Sequence, residues 1–303
     1  MTLTTILMLS VDEAHLLERS LPAAAAQPDA EVVVIDNACS DHTATLCERH
    51  GARRVELRER RSYAAAMNAG LAATSGPAVL LLNADCVLDG GFLAAARPRL
   101  DEPGTGSVAP LLLRATGMEP ADRTDIVDAA GMTIDRRAKN SLVGHGEPRS
   151  KHARRREAFG GDGACVLYRR EALDAVAVGA EVFDEDMALW ASDADLAWRV
   201  RNAGWRCAFE PEAVAWHVRF YSPGNRPLLA PEHRRLQFRN RLLMLAKNQT
   251  ARGYARNAPH ILGYEVLALG HALLRERTLL GGYVEAAGLL GAARSRRRAR
   301  PPQ

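Results

Sequence analysis

A short polar triplet, Asn83-Ala84-Asp85, follows a continuous apolar run at residues 78–82. Such a run predicts a strand that is buried on both faces of a parallel sheet. Ligands of open α/β sheets bind at the carboxyl ends of the strands, where this triplet falls. A carboxylate there can hold a hard divalent cation, which in turn can hold a diphosphate. The alternative is a turn that begins at Asp85, and the triplet alone favours that turn.

Polar residues also close two other predicted strands. Ser10 lies near the end of the first strand, and Asp36 and Asn37 end the second. A nucleotide base and ribose could lie at these ends, with Asp36 accepting a hydrogen bond from the imide N–H of a pyrimidine. The alternative, a turn and a helix N-cap, is preferred for Ser40 and Asp41.

Strand and helix signals alternate through the first hundred residues, and this order predicts a parallel, doubly wound α/β sheet. Strands are predicted at 4–11, 31–37, 52–57 and 78–82, with helices at 13–26, 41–50 and 62–74. Neither a GxGxxG nor a GxxxxGK[ST] sequence follows a strand. Dinucleotide-binding dehydrogenases and P-loop enzymes are therefore disfavoured.

The second half of the chain is less regular. Residues 101–160 show little periodicity, which predicts a functional loop or excursion. A strand and a helix start are predicted within 158–173, a helix after an acidic loop within 183–205, and a strand, a turn and a strand across 207–218. From about residue 232 the pattern is helical, basic and amphipathic.

Charge divides the chain into an acidic body and a basic tail. Residues 234–303 contain 13 Arg, one Lys and three Glu, so their net charge is +11. Because the whole chain has a net charge of +4, the preceding residues carry −7. Such a tail suits an anionic membrane surface, and a solvated or dimer-forming helical face is an equal alternative. Five scattered cysteines and the absence of a leader-like N-terminus predict a cytoplasmic location, with peripheral contact to the inner face of the cell membrane as an option.

Six motifs in order over about residues 4–222 resemble the inverting family 2 glycosyltransferases of the GT-A fold, and in particular their bacterial rhamnosyltransferase-like branch. They are VVVIDNACSDHT, AAAMNAG, LLLNAD, GGDGACVLYRREAL, FDEDMALWASDADLAWRVRNAGW and EPEAVAWH. The resemblance implies a GT-A catalytic domain at 1–231, with a nucleotide-binding half at about 1–100 and an acceptor half at about 101–231. A basic amphipathic helical extension with a disordered Arg-rich end would occupy 232–303.

The resemblance also implies the donor and metal residues. His217 occupies the place of the family's late histidine ligand, so Asp85 and His217 would hold Mg²⁺ or Mn²⁺ together with diphosphate oxygens and water. A buried, satisfied histidine is the alternative for His217. The residues implied to contact the nucleotide donor are Ser10, Asp36, Asn37, Tyr63, Asn68, Asn83 and Asp85.

Asp193 falls on the position of the family's catalytic base, which would take the proton of the acceptor hydroxyl. Asp195 is implied to orient the acceptor or its loop, and Asp162, Gly163 and Trp190 are implied to contact the acceptor or the sugar. Each has a plainer alternative: an acidic helix N-terminus for Asp193, a tight turn for Gly163 and a core position for Trp190.

The chain departs from the family pattern at Val11, where the family often has an aromatic, and at two places nearer the implied chemistry. Ser192 replaces a glutamate beside Asp193, and Arg60-Arg61-Ser62 replaces the usual Asn-x-Gly before the aromatic. Arg60 or Arg61 could contact a diphosphate, although a solvated surface charge is the simpler interpretation.

These observations predict inverting transfer of a sugar, such as rhamnose or another hexose, from a dTDP- or UDP-linked donor to a cell-envelope glycan or lipid-linked acceptor. A sugar nucleotidyltransferase is one alternative, but SVDEAH stands where that class carries a Gly-rich loop with Arg or Lys. A non-catalytic nucleotide-sugar-binding subunit is the other, motivated by the two departures. Nucleic-acid binding is disfavoured because the tail lacks interleaved aromatics. A homodimer remains open.

Overall fold

A computed structural model describes residues 3–220 and 227–299 of the chain. The strands are β1 (Thr4–Ser10), β2 (Ala30–Asn37), β3 (Arg53–Leu57), β4 (Ala78–Asn83), β5 (Cys86–Leu88), β6 (Thr105–Ala115), β7 (Arg123–Ala129), β8 (Met132–Ile134), β9 (Asn140–Leu142), β10 (Arg156–Ala158), β11 (Cys165–Arg169) and β12 (Arg206–His217). The helices are α1 (Ala14–Ala25), α2 (Thr43–Arg49), α3 (Tyr63–Ala72), α4 (Phe92–Asp101), α5 (Arg170–Asp174), α6 (Ser192–Asn202), α7 (Pro231–Asn248), α8 (Ala251–Leu274) and α9 (Thr278–Arg298).

The first hundred residues form the parallel part of one mixed sheet, in the order β4-β1-β2-β3. Strands β4, β1 and β2 are apolar on both faces, and one hydrophobic cluster covers each side of the sheet, whereas the edge strand β3 is mostly exposed. The register places Ser10 opposite Asp36 and Leu9 opposite Asn83. The predicted α/β fold of the GT-A type is confirmed, and the predicted polar strand ends do share one edge.

The long region 101–160 contains five strands, β6 to β10, that the sequence did not reveal, and β6 is the longest of them. β6 runs from Thr105 to Ala115 inside the sheet, between β11 and β12. Gly106 and Pro110 interrupt its apolar pattern and concealed it. Pro110 is tolerated because it lies at a register shift, where the pairing passes from Glu210 to Val214 on β12.

The sheet continues through β11, which runs antiparallel to both β4 and β6. The segment predicted as strand, turn and strand is a single strand, β12, because the irregularity near Pro211 is only a bulge. β12 runs parallel to β6, and its last residue, His217, is paired with Cys86 on β5. This pairing places His217 beside Asp85.

The C-terminal helices pack onto the second half of the catalytic domain, residues 101–231. A shared hydrophobic cluster joins α6 to α7 and α9, with Trp198, Leu243 and Met244 among its members. The prediction that the Arg-rich end is disordered is wrong for its described part, because α9 continues to Arg298 and Arg296 pairs with Glu181 and Asp184. Residues 300–303 lie outside the described residues.

Candidate active site

Two of the predicted donor residues, Ser10 and Asp36, already have protein partners at the carboxyl edge of the parallel strands. The hydroxyl of Ser10 lies 2.9 Å from that of Thr43. The Asp36 carboxylate accepts from the Cys39 amide and from Arg54, both at 2.8 Å. Arg54 is the exposed side of this pair, so it can approach a ligand together with Asp36.

Two of the predicted donor residues hold neighbouring loops in this structure. Asn37 bonds the backbone of Arg61 with both ends of its amide, at 3.0 and 2.8 Å. Asn68 donates to the carbonyl of Phe183 and accepts from the amides of Val182 and Phe183. These contacts fix the segments on either side of the site, and direct contact of either residue with the donor stays a prediction.

Tyr63 begins α3, and Asn83 ends β4. The ring of Tyr63 packs edge-on against Phe183, with 5.8 Å between the centroids. Burial raises the pKa of the Tyr63 hydroxyl, and the charges of Asp193 and Asp162 raise it further. Tyr63 therefore lies on the side of the site that holds Asp193. Asn83 is half-buried, and its backbone N–H donates to the backbone carbonyl of Ala164 at 2.9 Å.

Asp85 and His217 come together as the sequence suggested. Asp85 Oδ1 is buried and has no hydrogen-bond donor among the described residues, while His217 Nε2 lies 3.4 Å from it. The other ring nitrogen, Nδ1, lies 2.8 Å from Oδ2 of Asp128. Asp128 and Asp85 raise the pKa of His217 to about 10 against the opposing effect of burial. An unsatisfied oxygen beside an imidazole that a carboxylate orients fits a divalent-cation site.

The carboxylate of Asp128 is fully buried and also binds Arg219, whose Nε lies 2.8 Å from Oδ1. Burial raises the pKa of Asp128, but the hydrogen bonds from His217 and Arg219 outweigh it and lower this pKa to about 2. The other end of the Arg219 guanidinium lies 2.7 Å from Asp162. Arg219 thus joins the histidine side of the site to the Gly-rich segment before β11.

Asp193 stands at the start of α6 and faces that Gly-rich segment. Its Oδ2 accepts a hydrogen bond from the amide of Gly163 at 3.2 Å. Burial raises the pKa of Asp193, and the nearby charge of Asp162 raises it further. A side chain at Gly163 would contact Asp193, since an added Cβ would lie 3.0 Å from the Asp193 Cβ. The half-buried carboxylate therefore combines a fixed position with a raised pKa.

The loop before Asp193 is held in an uncommon backbone conformation. Ala188, Trp190 and Ala191 all have positive φ, at 54°, 71° and 57°. Such non-glycine residues each cost about 1–3 kcal/mol and persist only where the surroundings impose them. Asn240, fully buried on α7, donates to the carbonyls of Met187, Leu189 and Trp190 at 2.7, 2.7 and 2.9 Å. The C-terminal helices therefore shape the loop that leads to Asp193.

Asp195 is fully buried and bonds Arg199 at 2.8 Å, Lys247 at 3.0 Å and Asn248 at 2.7 Å. These contacts tie α6 to α7, and they leave the carboxylate no surface on which an acceptor could bind. Of the roles that the resemblance implied for Asp195, orientation of the loop fits this geometry better than orientation of the acceptor itself. The half-buried Trp190 packs edge-on against His233, with 6.0 Å between the ring centroids.

Arg60 pairs with Asp12 across 2.5 Å, and both side chains are partly exposed. This bridge joins the loop after β1 to the segment before α3. Asp12, Cys39 and Asp41 also offer three ligand atoms within 4.8 Å of one another. The carboxylates of that group are already bonded to Arg60, to Ser40 and to backbone amides, so a cation is not needed to balance them.

Sequence reasoning missed Asp128, Arg219 and Asn240. No local pattern marks them, because each acts on a partner far away in sequence, 89 positions in the case of Asp128 and His217. Of the three, only Arg219 has a signal in the sequence, because it lies two residues after His217 at the end of a strand. Together these residues connect Asp85 to Asp193 through His217, Asp128, Arg219 and the Asp162–Gly163 turn.

The sheet, its polar edge and this connected set of acids define a GT-A fold with a nucleotide-sugar type of site. The chain belongs to the family described as "Glycosyl transferase family 2", whose match covers residues 5–177, more than half of the sequence. The family is one of enzymes. The match includes Asp85 and Asp162 but ends before Asp193, His217 and Asn240.

Curated relatives are similar to part of the chain. The uncharacterized glycosyltransferase Rv0539 of Mycobacterium tuberculosis is 39% identical over 87 residues, which are 28% of this chain and 39% of the relative. The corresponding Mb0553 of Mycobacterium bovis gives the same figures. The alignment thus spans well under half the length of these relatives.

Solved structures support the fold. The S. aureus protein TarS 1–349 in complex with UDP-GlcNAc has a TM-score of 0.62 at 14% identity, covering 98% of this chain and 90% of that one. GalNAc-T7 with UDP, GalNAc and Mn²⁺ has a TM-score of 0.63 at 15% identity, covering 81% and 48%. The mannosyltransferase PcManGT from Pyrobaculum calidifontis with GDP-Man and Mn²⁺ has a TM-score of 0.56 at 20% identity, covering 97% and 80%.

Proposed function

We propose that this protein transfers a sugar from a nucleoside-diphosphate donor to an acceptor hydroxyl in one inverting displacement. The observation that carries the proposal is the connected set of contacts from Asp85 through His217, Asp128 and Arg219 to Asp162. This set ends one residue from Gly163, whose amide holds Asp193. One compact site therefore offers a place for the leaving diphosphate and a base for the acceptor.

Asp193 takes the proton of the acceptor hydroxyl while the oxygen attacks the anomeric carbon. The new glycosidic bond forms as the bond from that carbon to the diphosphate breaks, on the opposite face, so the configuration inverts. Its raised pKa makes Asp193 a stronger base than an exposed aspartate. The Gly163 amide keeps one carboxylate oxygen in place and leaves the other for the hydroxyl.

Asp85 and His217 would hold a divalent cation, Mg²⁺ or Mn²⁺. When bound, such a cation stabilises the negative charge of the departing diphosphate. Asp128 holds the Nδ1 side of the imidazole, so a cation would bind at Nε2 in place of the proton that the raised pKa keeps there. Two of the similar structures, GalNAc-T7 and PcManGT, contain Mn²⁺ with a nucleotide or a nucleotide sugar, which supports this assignment.

Asp36 and Arg54 are proposed to meet the base, and the edge formed by Ser10 and Asn83 to meet the rest of the donor. A pyrimidine donor, dTDP-rhamnose or a UDP-sugar, follows from the acceptor oxygen of Asp36 and from the rhamnosyltransferase-like motifs. UDP-GlcNAc in the TarS structure supports a UDP-sugar as the first to test. The proposed acceptor is a cell-envelope glycan or a lipid-linked glycan. Five free cysteines support a reducing, cytoplasmic location.

The test begins with a thermal-shift screen of nucleoside-diphosphate sugars with Mn²⁺, because a ligand that binds only the native state raises the melting temperature. With the donor found, Asp193→Asn is compared with Asp174→Asn, an exposed aspartate on α5. Release of nucleoside diphosphate should fall by about 10²–10⁴ in Asp193→Asn alone. Undiminished release would remove Asp193 as the base, and release of pyrophosphate instead would identify a nucleotidyltransferase.

A further inference from the structure

One side of α8 presents an apolar face to solvent. Leu262, Val266, Leu269 and Leu273 recur at spacings of four, three and four residues, so they lie along one side of the helix. Leu267 and Leu274 widen this strip and are 74% and 84% exposed. We call these six residues the α8 face. A strip this continuous marks an interaction surface better than scattered single residues do.

Arginines dominate the charges around the α8 face, and Glu276, the acid that follows its end, pairs with Arg234 and His271. Arg252 and Arg256 flank its beginning, and Arg275 and Arg277 follow its end, all four exposed and in no ion pair with any described residue. Glu265 is the one acid between residues 251 and 275, and it points inward to Arg241. The face therefore combines apolar contact with uncompensated positive charge.

The inner side of α8 packs on the acceptor half. Tyr264 lies against Arg241 and Arg137, and His260 lies 3.5 Å from Arg136. The Arg136–Arg137 loop connects β8 to β9, and β8 comes directly after β7, the strand that carries Asp128. The outward face is thus fixed rigidly to the part of the molecule where an acceptor would enter.

We infer that the α8 face lies on an anionic phospholipid surface. Apolar side chains with an arginine margin suit the boundary between acyl chains and anionic head groups. A second copy of the chain would present the same arginine margin, so the pair would gain no ion pair and its margins would repel. Among the described residues, no helix is long and apolar enough to cross a membrane, so α8 would lie along the surface.

This inference moves the membrane contact away from the Arg-rich end. Arg296, in the middle of that run, is already used by Glu181 and Asp184. The inference goes beyond the transfer reaction and depends on α8 alone. Its test therefore measures binding without substrate.

The test uses the full chain with vesicles of phosphatidylcholine, alone or mixed with phosphatidylglycerol, in a sedimentation assay. The parent protein should sediment with the mixed vesicles and stay in the supernatant with the phosphatidylcholine vesicles. The double variant Val266→Glu/Leu267→Glu should weaken this binding about tenfold or more. The matched control is Val284→Glu, on α9 and 74% exposed, which should bind as the parent does. Arg256→Gln should weaken binding about fivefold.

Three outcomes would overturn the inference: no binding to mixed vesicles, equal binding to both kinds, or a dimer that the double variant splits into monomers. Because every substituted residue is exposed, the melting temperatures should stay near that of the parent. Release of nucleoside diphosphate without vesicles reports the proposed reaction separately. Vesicle binding without release of nucleoside diphosphate would support the α8 inference and contradict the transfer proposal. Release without vesicle binding would support the transfer proposal and contradict the α8 inference.

Discussion

Asp128 Oδ2 lies 2.8 Å from Nδ1 of His217. Asp128 is on β7 and His217 ends β12, so the contact joins two distant parts of the chain. The same carboxylate binds Arg219, so one buried acid positions both the His217 imidazole and the Arg219 guanidinium. This relationship gives the first prediction, because it acts on metal affinity through His217 and not through contact with substrate.

Asp128→Asn should weaken Mn²⁺ binding about 10–100-fold, since loss of a carboxylate that orients a ligand histidine has effects of that size. Calorimetric titration with Mn²⁺ measures it directly. Asp125→Asn, an exposed carboxylate on the same strand, is the control. The variant should also lose about 3–5 kcal/mol of stability, because it leaves buried cations without their partner. Unchanged Mn²⁺ affinity in a folded variant would dismiss the positioning role.

Gly163→Ala should lower turnover while donor affinity stays close to the parent value. The added Cβ would lie 3.0 Å from the Asp193 Cβ, so it would displace the base by a few tenths of an ångström. Initial rates and donor affinity, measured separately, distinguish the two effects. Gly90→Ala is the control, because its added Cβ meets nothing within 4 Å. Equal rates for both variants would argue that the contact with Asp193 does not matter.

Asn240→Ala should reduce both stability and turnover. It removes the donor shared by three buried carbonyls of a loop that already holds three residues at positive φ. We expect a loss of about 1–3 kcal/mol in the free energy of unfolding. Denaturant titration and nucleoside-diphosphate release measure the two effects, with Asn257→Ala on α8 as the control. A variant that loses stability but keeps full turnover would show that the loop conformation is unimportant for catalysis.

Stability should fall on the acid side because of Asp195. Burial opposes the charged form, but Lys247 and Arg199 hold the pKa of Asp195 far below its ordinary value. A lowered folded-state pKa adds stability that is present above the unfolded pKa of about 3.9 and is lost as pH falls below it. Denaturant titrations between about pH 5 and pH 2 should show this slope, and Asp195→Asn should flatten it. An equal slope in that variant would assign the acid sensitivity to other carboxylates.

Much of the nucleotide side of this molecule was predictable, because it follows from local pattern. Ser10, Asp36 and Asn83 each end an apolar run, and parallel strands bring such ends to one edge. The acceptor side was harder for a physical reason. Gly106 and Pro110 hide β6, and Asp128 and Asn240 act through pairings that join distant parts of the chain. Their roles depend on how the sheet and the C-terminal helices meet, which no window of sequence records.

The hydrogen bonds from Asn240 to the loop before Asp193 also have a consequence for the order in which parts of the chain fold during synthesis. The ribosome completes the whole sheet, from β1 to β12, before it makes α7. Up to that point the carbonyls of Met187, Leu189 and Trp190 lack the Asn240 donor, so the sheet can form before the loop that leads to Asp193 takes its final conformation. The docking of α7, and then of α9 against the same hydrophobic cluster, would complete this region after the sheet is made.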